Sequence, residues 1–159
     1  MAGQALKPNS TTGRQIRRIV IHCSATVVGE VESIRRYHVE VNKWNDIGYH
    51  AVILNGSRAS SQYVVMDDGA VELGRPLHVA GAHCPEANAD SIGICLIGID
   101  KFSVPQIRAL KYLVNEYMRE FKLSFDDLLV HRDFDSAKKQ GKTCPGFSRE
   151  DLRAIIRNL

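Results

Sequence analysis

The stretch that most constrains the fold is Ser91-Ile-Gly-Ile-Cys-Leu-Ile97, a strand-length run without a charge. Successive side chains of a β-strand point to opposite faces, so a run this apolar reads as buried on both of them. A strand of that kind belongs inside a sheet with cover above and below. Gly93 at its centre marks a bulge or a close backbone approach. Arg17-Arg-Ile-Val-Ile-His22 is rich in β-branched residues and is a second central-strand candidate. Tyr49-His-Ala-Val-Ile-Leu54 reads as a third, with Asn55-Gly56 favouring a tight turn directly after it. Tyr63-Val-Val-Met66 and Ala70-Val-Glu-Leu73 flank Asp67-Asp-Gly69 and predict a hairpin. Leu128-Leu-Val-His131 is short and strand-like.

Helical spacing fills the gaps. Ile34, Tyr37, His38 and Val41 predict a helix over about 31–43. Ser103-Val-Pro-Gln106 has the form of a capping box, and the helix it opens carries Ile107, Leu110, Val114, Tyr117, Met118 and Phe121 on one stripe. Ser148 is placed to cap a last helix bearing Leu152, Ile155, Ile156 and Leu159. Strands interspersed with helices make an α/β domain, a mixed central β-sheet flanked by helices.

At 159 residues the chain is one domain with room for a core. Its net charge of +3 is too mild to predict nucleic acid and is compatible with an anionic polymer. No apolar run approaches the roughly 20 residues that span a bilayer, so no membrane partner is expected. Residues 1–15 are small and polar without the apolar segment of a secretory signal, and read as a flexible lead-in to a folded domain at 16–159. Synthesis in the cytoplasm is the expectation that goes with this reading. Cys23, Cys84, Cys95 and Cys144 lack framework spacing, which argues against a disulfide scaffold.

The chemistry-bearing residues are scattered. Among six histidines there is no His-x-x-x-His pair, so a metal site would have to be assembled from separate segments. His22 and His131 each end a predicted strand, the place where sites gather in open sheets. Cys144 lies in the tight loop Gly141-Lys-Thr-Cys-Pro-Gly146. One thiolate and two imidazoles leave a corner of a tetrahedral zinc open, as catalytic sites do. Taken singly, each residue also has an ordinary structural reading: a hydrogen-bonded histidine or an inert loop cysteine.

Six motifs in order change the weighing. Ile21-His-Cys-Ser-Ala-Thr26, Asp46-Ile-Gly-Tyr-His50, Gly81-Ala-His83, Ser91-Ile-Gly-Ile94, His131-Arg-Asp133 and Lys142-Thr-Cys-Pro-Gly146 together closely resemble the zinc-dependent N-acetylmuramoyl-L-alanine amidases. The nearest patterns are the phage lysozyme-type amidases and the peptidoglycan recognition proteins. The resemblance runs from about Arg18 to Leu159. It implies a peptidoglycan recognition protein-like amidase fold, and Zn2+ held by His22, His131 and Cys144. It implies Tyr49 and Lys142 as catalytic residues, and a peptidoglycan groove lined by His83 and Asn88. The implied reaction cuts the amide between N-acetylmuramic acid and L-alanine. Zinc would polarise that carbonyl and make water a nucleophile near neutral pH. Tyr49 and Lys142 would stabilise the oxyanion.

The implied partner is bacterial peptidoglycan or its muropeptides, met by a monomer acting on the cell wall after release or delivery. Two departures concern the groove. Asn55-Gly-Ser-Arg-Ala-Ser-Ser61 is longer than the compact phage pattern, and Ala87 stands where a glycine is more usual. A peptidoglycan-binding module without turnover is the main rival, although such modules typically lack the cysteine. A cytosolic amidase recycling muropeptides is another. A nucleoside deaminase would need a Pro-Cys-x-x-Cys pair that is absent.

The remaining candidates have bland readings. His38 and Trp44 are expected to pack, and His50 to face the core because it alternates with Tyr49. Cys23 is expected to face away from His22, and Cys95 to be core. Cys84 is open between exposed and incidental. Asp133 either orients a ligand histidine or serves its turn, and Lys138-Lys139 reads as solvated loop.

Overall fold

The computed structural model describes residues 13–59 and 62–158. The elements are β1 (Arg18–Cys23), α1 (Val31–Glu40), β2 (Ala51–Asn55), β3 (Asp68–Leu73), β4 (Ser91–Leu96), α2 (Val104–Phe121), β5 (Leu128–Val130), α3 (Asp135–Lys139) and α4 (Arg149–Asn158). The strands form one sheet in the order β3-β2-β4-β1-β5. Only the β2–β3 pairing is antiparallel; β2–β4, β4–β1 and β1–β5 are parallel. This is the mixed, helix-flanked sheet expected of the chain.

Each face of the sheet follows from strand alternation. Ile19 and Ile21 of β1, Ile92, Ile94 and Leu96 of β4, and Leu128 and Val130 of β5 point to one side. There they meet Leu110, Leu113, Val114 and Tyr117 of α2 and Leu152 and Ile156 of α4 in an aliphatic core. On the other side Val52, Leu54 and Cys95 pack with Val31 of α1 and with Ile47, while Val20 packs with Cys84 and Ala87. The register sets Ser91, Gly93 and Cys95 of β4 beside Arg18, Val20 and His22 of β1. The first three are small, and this matters for the site.

Local chemistry fixes the helix ends. Ser103 Oγ accepts from the Gln106 N–H at 3.1 Å while Gln106 Oε1 accepts from the Ser103 N–H at 3.0 Å, so the capping box is closed. Lys122 ends α2 in the left-handed conformation. Ser148 Oγ accepts from the Asp151 N–H at the start of α4.

Several expectations are corrected. The predicted hairpin around Asp67-Asp-Gly69 is absent. Asp68–Leu73 pairs instead with β2, and Val65–Asp67 is a single 3-10 turn. Arg58 grips both carboxylate oxygens of Asp67 at 2.8 and 2.9 Å, which holds that residue in the loop, so Asn55-Gly56 opens a longer connection. Gly69 is no turn tip: its backbone abuts Pro105 at the head of α2, where a Cβ would lie 2.7 Å from the Pro105 oxygen. Helix α1 stops at Glu40, short of 43, and Lys138-Lys139 falls in α3. The lead-in over residues 1–12 and the terminal Leu159 lie outside the described residues. Arg14 is already bonded into the fold through Leu77 O, Ala89 O and Ser91 O. Among the described residues no helix is long and apolar enough to cross a membrane.

Candidate metal centre and active-site cleft

Parallel pairing assembles the site. β1 and β5 lie side by side with Ile21 opposite Val130, so the next residues, His22 and His131, emerge together; their ring centroids are 4.5 Å apart. Cys144 comes from the loop between α3 and α4. Two bonds seat it: the Arg132 N–H donates to Cys144 O at 2.9 Å, and the Cys23 N–H donates to Cys144 Sγ at 2.9 Å. The ligand atoms of His22, His131 and Cys144 all lie within 4.8 Å of one another, near enough for one metal ion.

The electrostatics suit a cation that needs neutral imidazoles. Burial, and then the neighbouring His83, His131 and Lys142, hold His22 well below the usual histidine range. Burial and Lys142 act on His131 in the same direction. The hydrogen bond with the Cys23 thiol, together with burial, pushes the Cys144 thiol up, so metal ligation there releases a proton. The Cys144–Pro145 peptide is cis.

His131 and Cys144 line a cleft of about 880 Å³, and the buried His22 ring packs against that of His131. Thr26, Tyr37, His38, Tyr49, Ile99 and Lys142 are among its other lining residues. The Tyr49 ring lies 5.1 Å from that of His22. Burial and then the sulfurs of Cys95, Cys144 and Cys23 push the Tyr49 hydroxyl well above the usual tyrosine range. At neutral pH it is a donor. Lys142 is exposed at the rim, its backbone N–H anchored on Ala137 O at 3.0 Å.

The two groove candidates lie elsewhere. His83 and Asn88 do not line the cleft. His83 is buried, with Nδ1 2.9 Å from His22 Nε2. Asn88 Oδ1 accepts the N–H groups of both His83 and Cys84 at 2.8 Å, so it shapes the loop that carries His83. Cys23 also departs from expectation. It is a buried thiol, yet it lines the cleft, and its backbone N–H donates to Cys144 Sγ. Cys84 is buried, which pushes its thiol up to about 12. Asp133 serves its turn, accepting the Val130 N–H at 3.5 Å.

Comparison with known proteins places this geometry. The pattern of the N-acetylmuramoyl-L-alanine amidases matches residues 12–147. The chain belongs to that family. It is 32% identical to the endolysin of Enterobacteria phage T3 over 158 residues, covering 92% of this chain and 89% of the endolysin. Among solved structures, the N-acetylmuramoyl-L-alanine amidase LysC from Clostridium intestinale superposes with a TM-score of 0.73 at 25% identity, over 91% of this chain and 87% of LysC. A complex of tracheal cytotoxin with the ectodomains of peptidoglycan recognition proteins LCa and LCx gives 0.67 at 28% identity, over 91% of this chain and 82% of that one. This amidase therefore acts on the amide between N-acetylmuramic acid and L-alanine of peptidoglycan.

One residue expected only to pack also belongs to the cleft. His38 Nδ1 accepts the Gly48 N–H at 2.9 Å, and its ring packs 4.6 Å from Trp44 and 5.6 Å from Tyr49. It packs as expected, yet it does so in the cleft wall beside Tyr49. Its place on the inner stripe of α1 ahead of Gly48-Tyr49 was the available signal.

Proposed function

We propose that this amidase works with one zinc ion held by His22, His131 and Cys144, with Tyr49 and Lys142 completing the catalytic group. The observation that carries this reading is the meeting of two neutral imidazoles and a thiol, from three separate segments, beside a cleft wide enough for a muropeptide that His131 and Cys144 line. Two nitrogens and one sulfur are a donor set zinc favours, with a fourth position left to water or substrate. Bound there, zinc supplies Lewis acidity toward the scissile carbonyl and a nucleophile near neutral pH.

The chain's own residues do the rest. The amide carbon becomes tetrahedral and its oxygen takes on negative charge. Tyr49, protonated and fixed against His22 and His38, donates to that oxygen. Its raised pKa makes it a hydrogen-bond donor rather than a proton source. The departing L-alanine nitrogen needs a proton, and Lys142, solvent-exposed at the rim, delivers it. All the donors come from one chain, which fits a monomer as the working unit. The place of action is the cell wall.

Metal analysis and turnover test this together. About one zinc per chain is expected, lost in His22→Ala and in Cys144→Ser. Purified cell wall should release L-alanine amino groups with the unmutated protein and none with Cys144→Ser. Tyr49→Phe should keep the zinc and lose about 100- to 1000-fold in rate. Retention of zinc by both ligand variants refutes the site. Saturable wall binding without release makes the chain a binding module.

A further inference from the structure

A neutral imidazole carries one proton, and its neighbours decide on which nitrogen. Behind His22 the neighbours form a chain that can be followed outward to inward. Ser91 Oγ lies 2.6 Å from Ala87 O, a carbonyl that can only accept, so the hydroxyl proton points there. The serine oxygen can then only accept from His83 Nε2, 3.1 Å away. That places the His83 proton on Nε2 and leaves Nδ1 bare. His83 Nδ1 faces His22 Nε2 at 2.9 Å. A bare nitrogen accepts, so the His22 proton sits on Nε2 and its lone pair on Nδ1.

The surroundings are built to hold this order. Ser91, His83 and His22 are buried at 0%, 8% and 1% exposure, so solvent does not scramble the donors and acceptors. The His83 ring lies in a slot between two glycines. A Cβ on Gly81 or Gly93 would sit 2.4 or 2.5 Å from ring atom Cδ2. Asn88 fixes the backbone of His83 from the other side. Asp133, the carboxylate nearest in sequence to a ligand, bonds to its own turn, accepting the Val130 N–H at 3.5 Å.

We propose that Ala87 O, Ser91 and His83 form a proton-ordered relay that sets the tautomer of His22 and makes Nδ1 its metal-binding nitrogen. Ser91 and His83 are positioning residues: neither touches the metal or the substrate. The relay rests on the zinc reading above for its purpose, but not for its proton order. Groups that take up the outer N–H of a ligand histidine are typically worth 10- to 100-fold in metal affinity. A neutral imidazole does this here without burying a negative charge beside the site.

The test uses the full chain loaded with zinc. Long-range nitrogen–proton correlation spectra of the imidazoles should show the proton on Nε2 in both His22 and His83, with His22 Nδ1 shifted as a ligating nitrogen. Competition with a chromophoric chelator should show zinc held about 10- to 100-fold more weakly by His83→Leu. His83→Asn should recover most of that loss, because its side-chain oxygen accepts from near where Nδ1 stood. Ser91→Ala should give a smaller loss than His83→Leu. A proton on His83 Nδ1 overturns the relay, as does wild-type zinc affinity in a folded His83→Leu. If His83→Leu fails to fold, the spectra of the unmutated chain still decide. Absence of zinc from the unmutated chain would instead sink the metal reading, while the same spectra report the proton order regardless.

Discussion

Strand β4 has two faces made by opposite rules. Ile92, Ile94 and Leu96 fill one side and interdigitate with α2 and α4. Ser91, Gly93 and Cys95, on the other side, leave space. The first face is stabilised by apolar volume removed from water. The second gives up that volume so that an imidazole can enter and be held by hydrogen bonds. The same six residues therefore serve the core and the site at once. The lesson is that the small residues of a buried strand mark where something other than a helix is packed against it.

The aliphatic face should respond most to lost volume. Leu110, fully buried at the centre of α2, touches that core and has no part in the cleft. Leu110→Ala is expected to lower the unfolding free energy by about 2–5 kcal/mol, the usual range for a cavity of that size. Because the site lies on the opposite face, kcat/KM of the protein that remains folded should stay near the wild-type value. Denaturant unfolding and turnover measured on one preparation check both halves. A large loss of turnover with little loss of stability would show that the two faces are not separate.

The contrast was only half legible in the sequence. Elements defined by period and capping were readable: the apolar run at 91–97, the Ser103–Gln106 box and the stripe of α2 all rest on local rules. Within that run, Ser-Ile-Gly-Ile-Cys-Leu alternates small with large, but apolarity alone reads it as buried on both faces. Tyr63-Val-Val-Met66 misled for the opposite reason. Its composition fits a strand, yet its side chains are exposed, because Arg58 binds Asp67, Glu30 and Glu72 and commits the segment to a loop. His22, His131 and Cys144 stood out by position and by family pattern. What brings them together is the parallel pairing of β1 with β5 and the Cys23 N–H, neither of which a spacing encodes. His83 lies buried beside His22 instead of along this cleft, in the slot left by Gly81 and Gly93, which no spacing in the sequence encodes.

The hydrogen-bonded face should be the one that fails in acid. His50 Nδ1 accepts the Gly93 N–H at 3.0 Å and its Nε2 donates to Val79 O at 3.0 Å. Burial lowers its pKa to about 4, against an ordinary value of 6.5. Between those two values the unfolded chain binds a proton that the folded chain excludes. Stability therefore falls as pH is lowered from about 6.5 to about 4, and this loss saturates below that. A shift of that size corresponds to roughly 3 kcal/mol. Unfolding free energies measured across pH 7 to 4 should show the fall, and His50→Gln should make it shallower. An equal slope in both proteins would remove His50 as the cause.

Gly93→Ala tests the space itself. The added methyl would meet the His83 ring at 2.5–2.8 Å, closer than any carbon contact tolerates, and the ring belongs to a buried, bonded side chain. Something must move. If the imidazole swings aside, its bonds to Ser91 and His22 stretch together, and zinc affinity falls even though no polar group has been removed. If β4 yields instead, the Gly93 N–H leaves His50 and the parallel pairing with β1 weakens. Overpacking of this kind typically costs about 1–3 kcal/mol. The same methyl added by substitution on the other face, at a position already filled by Ile92 or Ile94, has no equivalent, since those residues fill their side. A Gly93→Ala protein with unchanged stability and unchanged zinc affinity would show that the slot is loose, and that the small residues of β4 do not define the site.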